Sequence, residues 1–326
     1  MKRRSEFNLI EALFAPLARE IPEALELKDD AALLSSSPGH ELVVTTDALV
    51  AGIHFHTHDP PDLIGRKLLR VSVSDLASMG AEPYLYLLTV VVPPECEESW
   101  LERFAAGLTH DQETFGIHLA GGDTVSTNGP LVLSLTAFGK VPTGKALQRS
   151  GASKGEDIWV SGTIGDAALG LMAMHDDLKV LDEQDRGSLR DRYLLPQPRV
   201  GLGAALRGIG SSCIDVSDGL VADLGHVCRA SGVRGEVQFN CIPLSEAAQA
   251  ALTIDSRFAE SILSGGDDYE LLFTATPQLR GAVLQAAGES GVDVARIGQM
   301  KSGSGVVILD AENAEIAVTT AGHTHF

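Results

Sequence analysis

Apolar residues along this chain follow two rhythms. Short, nearly continuous runs rich in β-branched and aromatic residues mark buried strands. They are predicted at residues 42–44, 84–92, 131–138, 157–161, 213–215, 271–276, 292–297 and 305–309. Longer stretches repeat their apolar positions every three or four residues, as amphipathic helices do. The first covers residues 8–18, with Leu9, Ile10, Leu13, Phe14 and Leu17 on its apolar side. A second runs from Asp62, a plausible N-cap, to Met79, with Gly80 as its stop. A third opens on the capping box Ser99-Trp100-Leu101-Glu102 and carries Leu101, Phe104, Ala105 and Leu108 on one face. Others follow Gly165 and Gly219 and start at Pro277, and the charged stretch 176–192 reads as a solvated linker or helix. Residues 139–155, rich in Gly, Pro, Ser and Lys, separate two halves. The boundary is placed near residue 148, giving domains 1–148 and 149–326.

Composition narrows the class. With 326 residues, 44% hydrophobic and 21% charged, the chain is long enough for two domains with real cores. No apolar run approaches a membrane span, and the basic start Met1-Lys2-Arg3-Arg4 lacks the long apolar region of a leader. Membrane partners are therefore not expected. A net charge of −19 argues against a nucleic-acid partner, which calls for a basic face. An acidic protein handles anionic substrates through divalent cations, so clusters of Asp become the feature of interest. Cys96, Cys213, Cys228 and Cys241 show no metal-like spacing and read as reduced, mostly buried thiols, implying a cytoplasmic location.

Carboxylates recur at strand ends. Thr45-Thr46-Asp47 closes the first strand, Gly121-Gly122-Asp123-Thr124 the third helix-to-strand passage, and Asp215-Val216-Ser217-Asp218-Gly219 leads from a strand into a helix. Ser264-Gly265-Gly266-Asp267-Asp268-Tyr269-Glu270 precedes another strand, and Asp29-Asp30 precedes an apolar run. Asp75 stands near a helix C-terminus, where the helix dipole disfavours a carboxylate. Taken singly, Asp47 is most simply a turn residue and Asp218 a helix cap, whereas Asp215 has no such local role. Together, Asp30, Asp47, Asp75, Asp123 and Asp215 offer hard oxygen ligands for Mg²⁺, with hydroxyl or carbonyl oxygens from Thr45 and Thr46. Asp218 either caps the next helix or joins this set. Two further readings stay open. His54, His56 and His58 alternate and would share a strand face as zinc ligands. Gly162-Thr163-Ile164-Gly165-Asp166 is either a phosphate-binding helix start or a tight strand-to-helix turn.

These motifs, with His54-Phe55, Ser74-Asp75-Leu76-Ala77-Ser78-Met79-Gly80 and the closing Gly322-His323-Thr324-His325-Phe326, stand in the order found in a known family. The chain closely resembles the thiamine-monophosphate kinases, within the superfamily named for aminoimidazole ribonucleotide synthetase. The resemblance implies an α+β fold of two α/β-sandwich domains, the N-terminal one pairing through its sheet in a homodimer. It implies ATP-dependent phosphorylation of thiamine monophosphate to thiamine diphosphate, with ATP phosphates and several Mg²⁺ ions in a cleft between the domains. Asp30, Thr45, Thr46, Asp47, Asp75, Asp123, Asp215 and Asp218 match the metal positions. Gly122, Asp123, Arg149 and Ser217 match nucleotide contacts, and His54, Asp267 and His323 match positions near thiamine. Two departures appear: Lys28 stands where the family often has Gly, and Asp267 where it often has Glu. Selenophosphate synthetases, of the same superfamily, would carry a reactive cysteine near the N-terminus. The first here is Cys96. Hydrogenase-maturation carbamoyl dehydratases would end in a cysteine-containing tail, and this chain ends in His325-Phe326.

Overall fold

The structure, a computed structural model, describes residues 10–20, 38–175 and 177–318. It divides into two compact units at Gly144/Lys145, with Ala77–Gly80 grouped with the second.

In the first unit, β1 (His40–Val50), β2 (Glu82–Val92), β3 (His118–Ser126) and β4 (Val132–Pro142) form one sheet in the order β1-β4-β2-β3. β4 is antiparallel to both neighbours, whereas β2 and β3 are parallel. Parallel neighbours need a crossover, and here it contains helix α2 (Glu98–Phe115). Helix α1 (Pro61–Ser78) similarly links β1 to β2. Burial alternates along β4, with Leu133, Leu135 and Ala137 inside and Ser134, Thr136 and Phe138 less covered. That is the pattern of a sheet with one face against a core. The two helices approach very closely: a Cβ on Gly107 would sit 2.0 Å from the Asp62 carbonyl oxygen. An ion cluster also joins them, with buried Asp111 accepting from Arg66 Nε at 3.1 Å and from Arg70 Nε at 2.5 Å.

Three local expectations are corrected. Within the predicted helix 8–18, Ile10–Phe14 is a π turn and Ala15–Ala18 a 3₁₀ turn. Pro16 supplies no N–H and disfavours α geometry before it. Asp62 lies inside the first turn of α1, and Ser99 inside α2, whose N-cap is Glu97.

The second unit is built on six strands: β5 (Asp157–Ser161), β6 (Ser212–Asp215), β7 (Arg234–Gln238), β8 (Leu271–Ala275), β9 (Val294–Lys301) and β10 (Gly305–Leu309). Their order is β10-β7-β9-β5-β8-β6. β5, β6 and β8 are buried at every residue, as their continuous apolar runs require. One core gathers Ile158, Val160, Ile214 and Leu272 with α3 (Asp166–Met174), α6 (Leu220–Ser231), α7 (Glu246–Ile254) and α8 (Phe258–Ser264). A separate cluster holds Trp159, Cys213, Leu271 and Phe273 with Leu202 of α5 (Val200–Ala205) and Val283 of α9 (Arg280–Ser290). The charged stretch resolves into α4 (Glu183–Leu194), capped by Asp182 accepting from Asp185 N–H at 2.8 Å. Both units mix helix and sheet, as the α+β expectation has it. Cys213 and Cys228 are buried, Cys96 is half-buried and Cys241 is exposed. Among the described residues no helix is long and apolar enough to cross a membrane.

Candidate functional site

β1 does not stop at Thr45: it runs through the whole Thr45-Thr46-Asp47 device. The two-residue period of a strand then sends neighbours to opposite faces. Thr45 and Asp47 stand opposite Ala137 and Leu135, on the helix-covered face. Thr46 stands opposite Thr136 on the other, with the two hydroxyl oxygens 3.0 Å apart.

Helix α1 supplies the facing groups. Ser72 and Asp75, three residues apart, share one side of it. The Ser72 hydroxyl donates to Asp47 Oδ2 at 2.5 Å, and the Thr45 hydroxyl donates to Asp75 Oδ2. Burial first, and then the Asp75 charge, push the Asp47 carboxyl up to about 6, against the bond from Ser72. Two half-buried carboxylates held together among hydroxyls form an all-oxygen donor set with excess negative charge. Those residues fit a hard divalent cation.

Other predicted positions lie apart. Asp123 is in β3, exposed, in register with Thr89, and its Oδ1 accepts the Thr124 N–H at 2.8 Å. Gly122 lies so near β2 that a Cβ would sit 1.8 Å from the Leu88 carbonyl oxygen, so a side chain is excluded there. Among the described residues no three His, Cys, Asp or Glu side chains gather as a metal cluster; Asp47 and Asp75 are a pair. Asp30 and His323 lie outside the described residues.

His54 lies in a turn that follows β1, not in a strand. Gly52 has φ 81°, its N–H donates to Phe55 O at 2.8 Å, and Val50 N–H donates to His54 Nδ1 at 3.1 Å. Accepting that bond requires the neutral ring with its proton on Nε2. The turn also removes the shared strand face on which the zinc reading of His54, His56 and His58 rested.

In the second unit two loops lie side by side. Asp267 N–H donates to Ser217 O at 2.9 Å, Tyr269 N–H to Val216 O at 2.8 Å, and Val216 N–H to Glu270 O at 2.8 Å. Gly266 makes this approach possible, since a Cβ there would sit 2.1 Å from Ser217 O. Asp215 is buried at the end of β6, while Ser217, Asp218 and Asp267 are half-buried. Asp218 does not cap α6. The Asp223 carboxylate instead accepts the N–H groups of Asp218 and Gly219 at 3.0 and 3.1 Å. Burial pushes the Asp223 carboxyl up to about 7. Arg149 is exposed, and its carbonyl accepts from Ser231 Oγ at 3.4 Å. Burial, then the charges of Arg229 and Arg149, hold the His226 ring below the usual range against the pull of Asp218, so these groups share one electrostatic neighbourhood.

The Gly162–Asp166 turn proves to be structural. Its helix-start amides are taken: Asp268 Oδ2 accepts Gly165 N–H at 2.6 Å and Oδ1 accepts Ala167 N–H at 3.1 Å. Sequence reading missed Ser72, Asp223 and Asp268. Only Ser72 left a signal, its three-residue spacing from Asp75.

Comparison with known proteins matches this architecture. Residues 28–141 match the family "AIR synthase related protein, N-terminal domain", and residues 153–311 its C-terminal domain counterpart. The chain is 46% identical over 305 residues to thiamine-monophosphate kinase of Caulobacter vibrioides, covering 93% of this chain and 86% of that protein. It is 39% identical to thiamine-monophosphate kinase of Salmonella typhimurium, covering 98% of each. The crystal structure of thiamine-monophosphate kinase from Stenotrophomonas maltophilia K279a superposes with a TM-score of 0.83 at 41% identity, over 91% of this chain and 96% of that one. AaThiL complexed with AMPPCP and TMP superposes with a TM-score of 0.78 at 29% identity, over 100% and 99%. With both domain families matched and near-full-length likeness to kinases of one name, the chain belongs to the AIR synthase related family and, within it, to the thiamine-monophosphate kinases.

Proposed function

We propose that this chain transfers the γ-phosphoryl group of ATP to the phosphate of thiamine monophosphate, forming thiamine diphosphate and ADP. The observation that carries the reading is the convergence of Thr45, Asp47, Ser72 and Asp75 on the helix-covered face of the first sheet, in a chain of this family. Asp30, Thr45, Thr46, Asp47, Asp75, Asp123, Asp215 and Asp218 would hold Mg²⁺, Thr46 through its carbonyl because its hydroxyl faces Thr136. Bound there, Mg²⁺ would neutralise phosphate charge and orient the phosphoryl group.

The chain's own residues bind and position. Gly122, Asp123, Arg149 and Ser217 address the nucleotide. Gly122 is exposed on β3, and the exposed Arg149 offers a guanidinium suited to phosphate oxygens. His54, Asp267 and His323 address the acceptor. His54 positions it rather than deprotonating it: its Nδ1 already accepts the Val50 N–H at 3.1 Å. No strong base is needed, because a phosphate ester loses its second proton with a pKa of about 6. The acceptor oxygen then attacks γ-phosphorus in line as the bond to the β-bridging oxygen breaks, without a phosphoenzyme.

The assembly we propose is a homodimer paired through the first sheet, supported by the exposed apolar residues Leu42, Val44 and Leu87. Free thiols accord with a reducing cytoplasm. The functional test is direct. Mixing protein, ATP, Mg²⁺ and thiamine monophosphate is expected to release ADP and thiamine diphosphate in equal amounts, with net inversion at the transferred phosphorus. Absence of turnover would overturn the kinase reading; net retention would overturn the direct mechanism.

A further inference from the structure

The loop that carries Asp267 has an alternation of its own. Asp267 and Tyr269 both have left-handed backbone, φ 72° and 51°. That geometry is uncommon for Asp and rare for a bulky aromatic residue, and it persists only where the surroundings over-determine it. The residues between and after them are the anchors. Asp268 is 1% exposed and its carboxylate fills the start of helix α3, on the amides of Gly165 and Ala167 at 2.6 and 3.1 Å. Glu270, fully buried, accepts from Arg192 Nη2 at 2.7 Å, Arg199 Nε at 2.6 Å and Ser161 Oγ at 2.6 Å. Between these anchors the Asp267 and Tyr269 amides reach Ser217 and Val216, and the Tyr269 hydroxyl donates to Asp267 Oδ1 at 3.3 Å.

We propose that Asp268 is a positioning residue for the acceptor substrate: by binding the first turn of α3 it fixes the left-handed backbone at Asp267, and so sets where the Asp267 carboxylate is presented. This rests on the kinase reading and on Asp267 as an acceptor contact. The Asp268 carboxylate itself is taken up by the α3 amides. Its role is exerted through one peptide link, because rotation there would carry Asp267 off the Ser217 carbonyl. Glu270 holds the far end of the segment and leaves that link to Asp268.

The test is steady-state kinetics with both substrates varied. Asp268→Asn keeps the shape but sets an NH₂ group against an N–H donor. It is expected to raise KM for thiamine monophosphate about tenfold while kcat and KM for ATP stay within about twofold. Asp268→Ser retains one oxygen acceptor of a kind helix starts favour and is expected to fold and to raise the same KM about threefold. If Asp268→Asn does not fold, Asp268→Ser decides the matter alone. In an Asp267→Ala background, Asp268→Asn is expected to add nothing further, because coupled residues are non-additive. Equal loss in kcat and both KM values, or full additivity with Asp267→Ala, would show a merely structural role and overturn the proposal. Turnover in which Asp267→Ala leaves KM unchanged would overturn it while the kinase reading stands. No turnover by the parent chain would remove both.

Discussion

At the scale of single residues, the consequential fact is that Asp47 is half-buried and held beside Asp75. Asp47→Asn and Asp75→Asn are each expected to lower kcat about 10²–10³-fold, the order lost when an electrostatic group is removed from a phosphoryl-transfer site. Circular dichroism should show the fold intact, and parental activity across a range of Mg²⁺ would refute the assignment. The same carboxyl predicts a pH effect with a definite sign. Its folded value, about 6, lies above the ordinary 3.8. The metal-free folded state therefore binds the proton more tightly than the unfolded chain, and stability falls as pH rises through that interval. Asp47→Asn removes the effect. In chelator, the parent should lose stability relative to the variant from about pH 4 upward, and by pH 7 the variant should have gained about 2–3 kcal/mol over the parent. Thermal unfolding at both pH values checks this; a parent that gains on the variant would refute it. Of this residue-level picture, the acids themselves were legible in the sequence. Asp223 was not, because nothing local says that an acid four residues beyond Gly219 turns back onto the loop amides.

At the scale of elements, the pairing of the loops after β6 and before β8 depends on a missing side chain. Gly266→Ala would place a methyl group 2.1 Å from Ser217 O, against backbone that cannot swing aside as a side chain would. We expect a loss of about 2–4 kcal/mol in unfolding free energy and of most activity, since the bonds from Asp267 and Tyr269 must open. Chemical denaturation measures the first; a change below about 0.5 kcal/mol would mean that the loops are not held together as described. Elements also explain where sequence reading went astray. The run at residues 42–44 looked like a complete strand because Thr45, Thr46 and Asp47 are polar. Thr is nonetheless a good strand former, and register with β4 carries β1 through to Val50. The expected ligand trio at a strand end became two side chains on one face and one on the other. β7 was missed because Arg234 and Glu236 break its apolar run, and its two neighbours, β10 and β9, supply the pairing that a local pattern lacks.

At the scale of the whole molecule, the first sheet leaves apolar residues in contact with solvent: Val44 is 55% exposed and Leu42 and Val125 are each 42% exposed. Scattered exposed apolar residues are ordinary, but several on strands of one sheet mark an interaction face. Val44→Glu is expected to convert a dimer to a monomer in sedimentation velocity, with the monomer still folded; a parent chain that sediments as a monomer at high concentration would refute the pairing. The hydrophobic rhythm and the inventory of acids were determined by the sequence alone, because periodicity and composition are local properties. The order of motifs also carried the family, since that order survives whatever the strands do in space. Only tertiary structure decided which acids meet. Thr45, Asp47, Ser72 and Asp75 come together because β1 and α1 pack, and Thr46 departs because a strand alternates. The same holds for the Gly162–Asp166 turn, whose amides looked available for phosphate until Asp268, about a hundred residues away in the chain, was found on them. A sequence records which groups exist; which of them already satisfy one another is settled by long-range packing, and that decides what remains for a substrate.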